Sequence, residues 1–161
     1  MGIVWGNPQE IDRVFAEAQA EYDRKAINWL CVLGERVVKY ARTNGNYTDQ
    51  TANLRNSIGY VVIQSNRVVF DSFVGSSTPR NDPNGQANAE MAHQRGLEYA
   101  KQVGASLGGY KTYLVWVAGM EYARYVEANG YDVIQGSGDW VEANAQKLMA
   151  EFERYLKAKG I

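Results

Sequence analysis

The side chains able to do chemistry are few, and their spacing does not suit it. One histidine, His93, stands among Ala89, Ala92 and Gln94 on a modest helical stretch. It has no evident nucleophile to act on, so a solvent-facing or hydrogen-bonded structural imidazole fits it better than a general base. The single cysteine, Cys31, lies between Leu30 and Val32, where a thiol behaves as a small apolar side chain. One cysteine also excludes an internal disulfide and a cysteine-based zinc site. Asp71, Asp82, Asp132 and Asp139 reproduce neither a calcium loop nor a facial triad. Gly104, Gly108 and Gly109 are not followed by a helix, so they cradle no phosphate. Glu121 and Glu127 fall on different faces of a helix and make a poor acid–base pair. The expectation is a chain with no catalytic residue, no cofactor and no bound metal.

The elements around these residues read as one domain. At 161 residues, 45% hydrophobic and 22% charged, the chain is long enough to bury a sizeable core. A net charge of -1 opposes a nucleic-acid surface, which needs clustered Lys and Arg. No apolar run approaches a membrane span. The opening residues show no basic region or cleavage site, so no secretory leader is expected, and Asn7 stands where a myristoylation motif at Gly2 needs Ser or Thr. These signs point to synthesis in a cytosol.

A long helix is predicted over 8–42. Asn7-Pro8-Gln9-Glu10 is its start signal, and Ile11, Phe15, Ala18, Tyr22, Ala26, Trp29, Leu33, Val37 and Tyr40 form its apolar stripe. It would span about 50 Å, longer than the core needs, so part of it should project or pack on a neighbour unless it bends near Gly34. Strands follow over 58–64 and 67–74, joined at Ser65-Asn66 as a hairpin. The segment 75–85 holds two prolines and two glycines and reads as a surface loop. A helix over 87–103 is weakened by Gly96, and a strand over 111–118 alternates in a way that suits a central, two-sided position. A short helix at 121–130, an extended piece at 131–134 and a last helix over 140–159, capped by Asp139, complete the chain. The order implies α+β: a small antiparallel sheet of three or four strands packed against the long N-terminal helix and the C-terminal helix on one side.

The connector Thr48–Ile58 is short and polar between the long helix and the first strand. In it Thr51 or Asn53 is expected to cap a single turn, Leu54 to pin that turn to the core, and Ile58 to open the sheet. Eleven tyrosines and four tryptophans, with Tyr47, Tyr60, Tyr110, Tyr122, Tyr125 and Tyr131 at element ends, suit either protein contact or the finishing of core edges.

Thr51-Ala52-Asn53-Leu54-Arg55-Asn56-Ser57-Ile58 and Tyr122-Ala123-Arg124-Tyr125-Val126-Glu127, in that order and between those helices, resemble the tail-completion (minor tail component) family of long-tailed bacteriophages. That family's pattern is a Thr-Gly-x-Leu-Arg-x-Ser-Ile-like connector opening a strand, then a Tyr-Ala-x-Tyr-Val-Glu segment. The resemblance covers 8–74 and 111–160. Ala52 replaces the glycine, so the turn there need not be left-handed, and the loop and helix over 75–104 look inserted. The resemblance implies a non-catalytic virion protein of the head–tail neck, assembled in the host cytoplasm. It implies a ring, sixfold to match the tail, in contact with neck proteins and tail-tube or terminator subunits. Leu54, Arg55, Tyr122, Tyr125, Glu127 and Tyr131 would supply its protein interface. Arg55 and Glu127 could pair across or between subunits, and 75–85 and 129–139 would order on assembly. The competing reading is a small α+β ligand-binding or regulatory module.

Overall fold

The computed structural model describes residues 7–108 and 111–160. Expectations that rest on Gly2, Gly109 and Tyr110 lie outside them. Helix α1 is one continuous element over Pro8–Asn44, and Asn7 accepts the Gln9 N–H as its cap. It runs through Gly34 without a break. That glycine lets the Tyr60 ring lie against the helix backbone, where an added Cβ would come within 2.6 Å of the ring. The one-turn helix α2 (Asn53–Asn56) leads into β1 (Ile58–Gln64), which turns through Ser65 and Asn66 into β2 (Arg67–Asp71). Both turn residues have positive φ, as the two-residue hairpin requires. Helix α3 (Ala89–Ser106), strand β3 (Thr112–Ala118), and helices α4 (Ala123–Ala128), α5 (Gln135–Ala143) and α6 (Ala145–Ala158) follow.

The fold is α+β, with a three-stranded antiparallel sheet in the order β2-β1-β3. The central strand is therefore β1, and β3 is an edge, contrary to its two-sided sequence pattern. Both faces of β3 are nevertheless flanked by helices, which accounts for the pattern. Alternation in β1 sends Ile58, Tyr60 and Val62 to α1, where they meet Val38, Ala41, Leu54 and Val133. Val61 and Ile63 go to the other face, with Phe73, Ala100, Val115 and Val117. Helices thus lie on both faces of β1 and β3, not on one, while β2 stays exposed along its length. The stretch 75–88 runs over the surface, while helix α3 after it closes the second face and so belongs to the core. Its buried stripe is Ala92, Gly96, Ala100 and Gly104. Such small side chains let backbones approach, and an added Cβ on Gly96 would meet the Phe73 ring and Ser57 O at 2.3 and 2.6 Å.

The C-terminal helix packs on α1 rather than directly beneath the sheet. Trp29 lies 5.9 Å from the rings of both Phe152 and Tyr155, and Arg36 pairs with Glu151 at 2.6 Å. The last helix also starts earlier than Trp140. Gln135 begins α5, and a break at Asn144 separates it from α6. Asp139 lies inside α5, where it accepts from the Gln135 side chain at 3.0 Å, and is no cap.

Candidate protein-interaction site

The connector is held by a dense set of hydrogen bonds. Ala52 adopts the left-handed conformation, φ 62°, so a glycine-type turn persists without the glycine. Ala52 at the cap position makes no side-chain bond, but of the two expected residues Thr51 serves the turn, its hydroxyl accepting the Asn53 N–H at 3.3 Å, and Asn53 does not. The Asp49 carboxylate accepts the Arg55 N–H at 2.7 Å, which serves an orphan donor of the turn. Asn53 is buried and bridges the chain: its amide donates to Gln86 O at 2.9 Å and accepts from Asn88 N at 2.8 Å. Asn56 accepts the Ser77 N–H at 2.7 Å, and Gln50 O accepts from the N–H groups of Arg80 and Asn81. The loop 75–85 is thereby fastened to the connector within a single chain. Ser57, fully buried, donates to Leu54 O and accepts from Met120 N, while Ser57 O accepts from Gly119 N. Those last two bonds tie the connector to the segment that leads into α4.

The two segments that carry the family resemblance consequently meet. Tyr122 and Val126 face Tyr47, Thr48, Asp49, Gln50, Thr51 and Leu54 across a cleft of about 210 Å³. Burial first, and the Asp49 charge further, raise the pKa of both Tyr47 and Tyr122, so both phenols stay neutral.

The six proposed interface residues have different placements. Leu54 is 2% exposed and belongs to the core beneath the connector, so it offers no outer surface. Arg55 lies half-buried with its guanidinium over the Tyr47 ring, 5.8 Å from the centroid. Glu127 does not pair with it. The Glu127 carboxylate accepts from Val133 N, Ile134 N and Gln135 N at 3.2, 3.0 and 3.0 Å, and so caps the start of α5. The segment 129–139 is already folded in the single chain, held also by Asp132 N to the Asn46 side chain and Gly136 N to Asp132. Tyr122, Tyr125 and Tyr131 remain exposed around α4, Tyr125 at 72%.

Two larger surfaces escaped the sequence reading or were only half seen in it. The first is the arm, the part of α1 from Pro8 to Tyr22, every residue of which is exposed. Ile11, Val14 and Phe15 are 41, 54 and 70% exposed along it. The helix was expected to outrun the core, and its N-terminal half does. The second is an apolar groove of about 730 Å³ beside the open edge of β3. Tyr99 and Val103 of α3 form one wall, Trp116 to Met120 the floor, and Ala123, Arg124 and Val133 the other. No sequence pattern announces it, because its lining comes from three separate stretches.

His93 is half-buried on α3, and its Nε2 has no hydrogen-bond partner. Burial and then the Arg42 charge hold the imidazole below its ordinary value, which favours the neutral ring. Cys31 is pushed up by burial and stays a thiol. Among the described residues no group of three or more His, Cys, Asp or Glu side chains is placed to hold a metal ion, and no helix is long and apolar enough to cross a membrane. No family model matches the chain, and no curated protein or solved structure matches it.

Proposed function

We propose that this chain is a non-catalytic structural protein of a phage virion. It completes or joins the head–tail neck through ring-forming contacts with copies of itself and with tail-tube or terminator subunits, and it assembles in the host cytoplasm. The observation that supports this reading is the convergence of the two resembling segments. They are distant in sequence, yet Tyr122 and Val126 lie against Tyr47 to Leu54, with Tyr125 and Tyr131 exposed beside them. Rigid, amphipathic aromatic side chains around a fixed connector suit docking between proteins. Heterologous contacts of this kind close into a ring when the rotation between copies allows it.

A nonsense mutation in the gene tests the role. The expected result is filled heads and free tails that do not join; normal infectious particles would contradict it. Portal, capsid and tail-tube reading frames are also expected beside the gene.

A ligand-binding module is the second reading, and the apolar groove beside β3 is the observation in its favour. A ligand-dependent rise in melting temperature, without assembly onto phage components, would decide for it.

A further inference from the structure

Among the described residues the arm and the groove are two apolar surfaces that the fold leaves uncovered, beside the exposed side chains of β2, and they lie at opposite ends of the sheet. Arg42, near the C-terminus of α1, donates to Ile58 O, and Ile58 pairs with Ala118. At the other end of the packed part of α1, Asp23 pairs with Lys111 at 2.8 Å, just before Thr112, the partner of Gln64. The arm therefore leaves past the Gln64–Thr112 end, while the groove opens around Ala118, Met120 and α4. Because α1 is one unbroken helix, the arm cannot fold back into the groove of its own chain.

We propose that the arm of one copy docks in the β3 groove of the next. The inference rests on the ring-forming reading above and names the surface that would build such a ring. Ile11, Val14, Phe15 and Ala18 fall at helical spacing on one face, the pattern by which an amphipathic helix enters an apolar groove. The exposed part is about 22 Å long, enough for four turns of contact. Charge agrees with this partner. The arm carries Glu10, Asp12, Glu17 and Glu21 against Arg13 alone. Glu17 pairs with Arg13 and Glu21 with Lys25, which leaves Glu10 and Asp12, on the two borders of the apolar face, without ion pairs among the described residues. Arg124 on the groove wall is exposed and likewise has no ion pair there, whereas the neighbouring Glu121 is taken by Arg95. An arm entering from a second copy brings the free carboxylates to the free guanidinium. Each copy gives one arm and receives one, so the contact is heterologous and propagates head to tail.

The test uses full-length protein and sedimentation velocity over a concentration series. The unmodified chain is expected to self-associate. Phe15→Asp in the arm and Arg124→Glu in the groove change exposed side chains, so each should keep the parent circular dichroism and melting temperature while weakening association by about tenfold or more. A mixture of the two variants is the decisive arm. The Phe15→Asp copy keeps an intact groove and the Arg124→Glu copy an intact arm, so together they should form a one-to-one heterodimer that grows no further. A chain that stays monomeric overturns the proposal, as does unchanged association of Phe15→Asp or a mixture that forms no heterodimer. None of these outcomes depends on phage components, so the docking mode can fail while the neck role stands.

Discussion

Replacing Glu127 separates two uses of one carboxylate. The resemblance assigns it to an interface, whereas in the folded chain it accepts three successive N–H groups, those of Val133, Ile134 and Gln135. Val133 is 1% exposed in the core, so water reaches its N–H poorly once the carboxylate is gone. Hydrogen bonds to a charged acceptor contribute about 1.5–3 kcal/mol each where buried, and helix caps about 0.5–2. The Gln135 bond is exposed and counts for little. Glu127→Ala should therefore destabilise the monomer by about 2–3 kcal/mol. In a chain of this size that lowers the melting temperature by about 5–10 °C. Glu127→Gln keeps an acceptor oxygen and should lose about 1 kcal/mol. Urea unfolding at a dilution where the chain is monomeric is the assay, with a second run at higher concentration to expose any contribution from association. An alanine variant within about 0.5 kcal/mol of the parent would refute the capping role and return Glu127 to the interface.

Gly34→Ala should destabilise by about 2 kcal/mol or more, although alanine is the better helix former by about 1 kcal/mol. The reason is the Tyr60 ring, 2.6 Å from the added carbon, and denaturant unfolding reads the sign directly. Ala52→Gly relieves a left-handed alanine worth about 1–2 kcal/mol while freeing the unfolded chain by about 0.4–1, so it should be neutral to slightly stabilising. Ala52→Val should be clearly destabilising in the same assay. For His93 the folded pKa lies below the ordinary 6.5, so the unfolded chain binds more protons between the two values. The stability this group contributes is fully present above about pH 6.5 and is lost as pH falls through the folded value. Calorimetry at about pH 7.5 and about pH 5.5 should show a smaller fall in melting temperature for His93→Gln than for the parent.

Much of the fold was legible because its strongest patterns are local. The stripe from Ile11 to Tyr40, the Asn7-Pro8 start and the Ser65-Asn66 turn each state their element through neighbouring residues. What was missed depends on contacts across the chain. Gly136, Ser137 and Gly138 argue against a helix, yet α5 runs through them because Glu127 and Asp132 satisfy its first N–H groups. A Cβ at Gly136 would lie 2.1 Å from the Asp132 carboxylate, so a larger residue there would displace that side chain from its bond to Gly136 N. Trp116 Nε1 donates to the buried Ser137 hydroxyl at 3.1 Å, which uses a serine that sequence alone reads as loop. The weakness assigned to α3 came from the same source. Its stripe of alanine and glycine scores poorly for hydrophobicity but permits the close approach that covers the second sheet face. The interface residues were legible only as types. Whether a tyrosine is exposed, a leucine buried or a glutamate occupied as a cap is decided by the contacts of the folded chain. Those contacts are distant in sequence for Leu54 against Val133 and near for Glu127 against Val133 to Gln135.

The neck role is tested most directly by complementation in vitro. Filled heads and free tails from an infection that lacks this gene would be mixed with the purified chain, and infectious titre counted alongside electron micrographs. The account predicts that the chain alone restores tailed, infectious particles and is retained at the junction. Heads and tails that stay separate, or that join equally well without it, would contradict the claim.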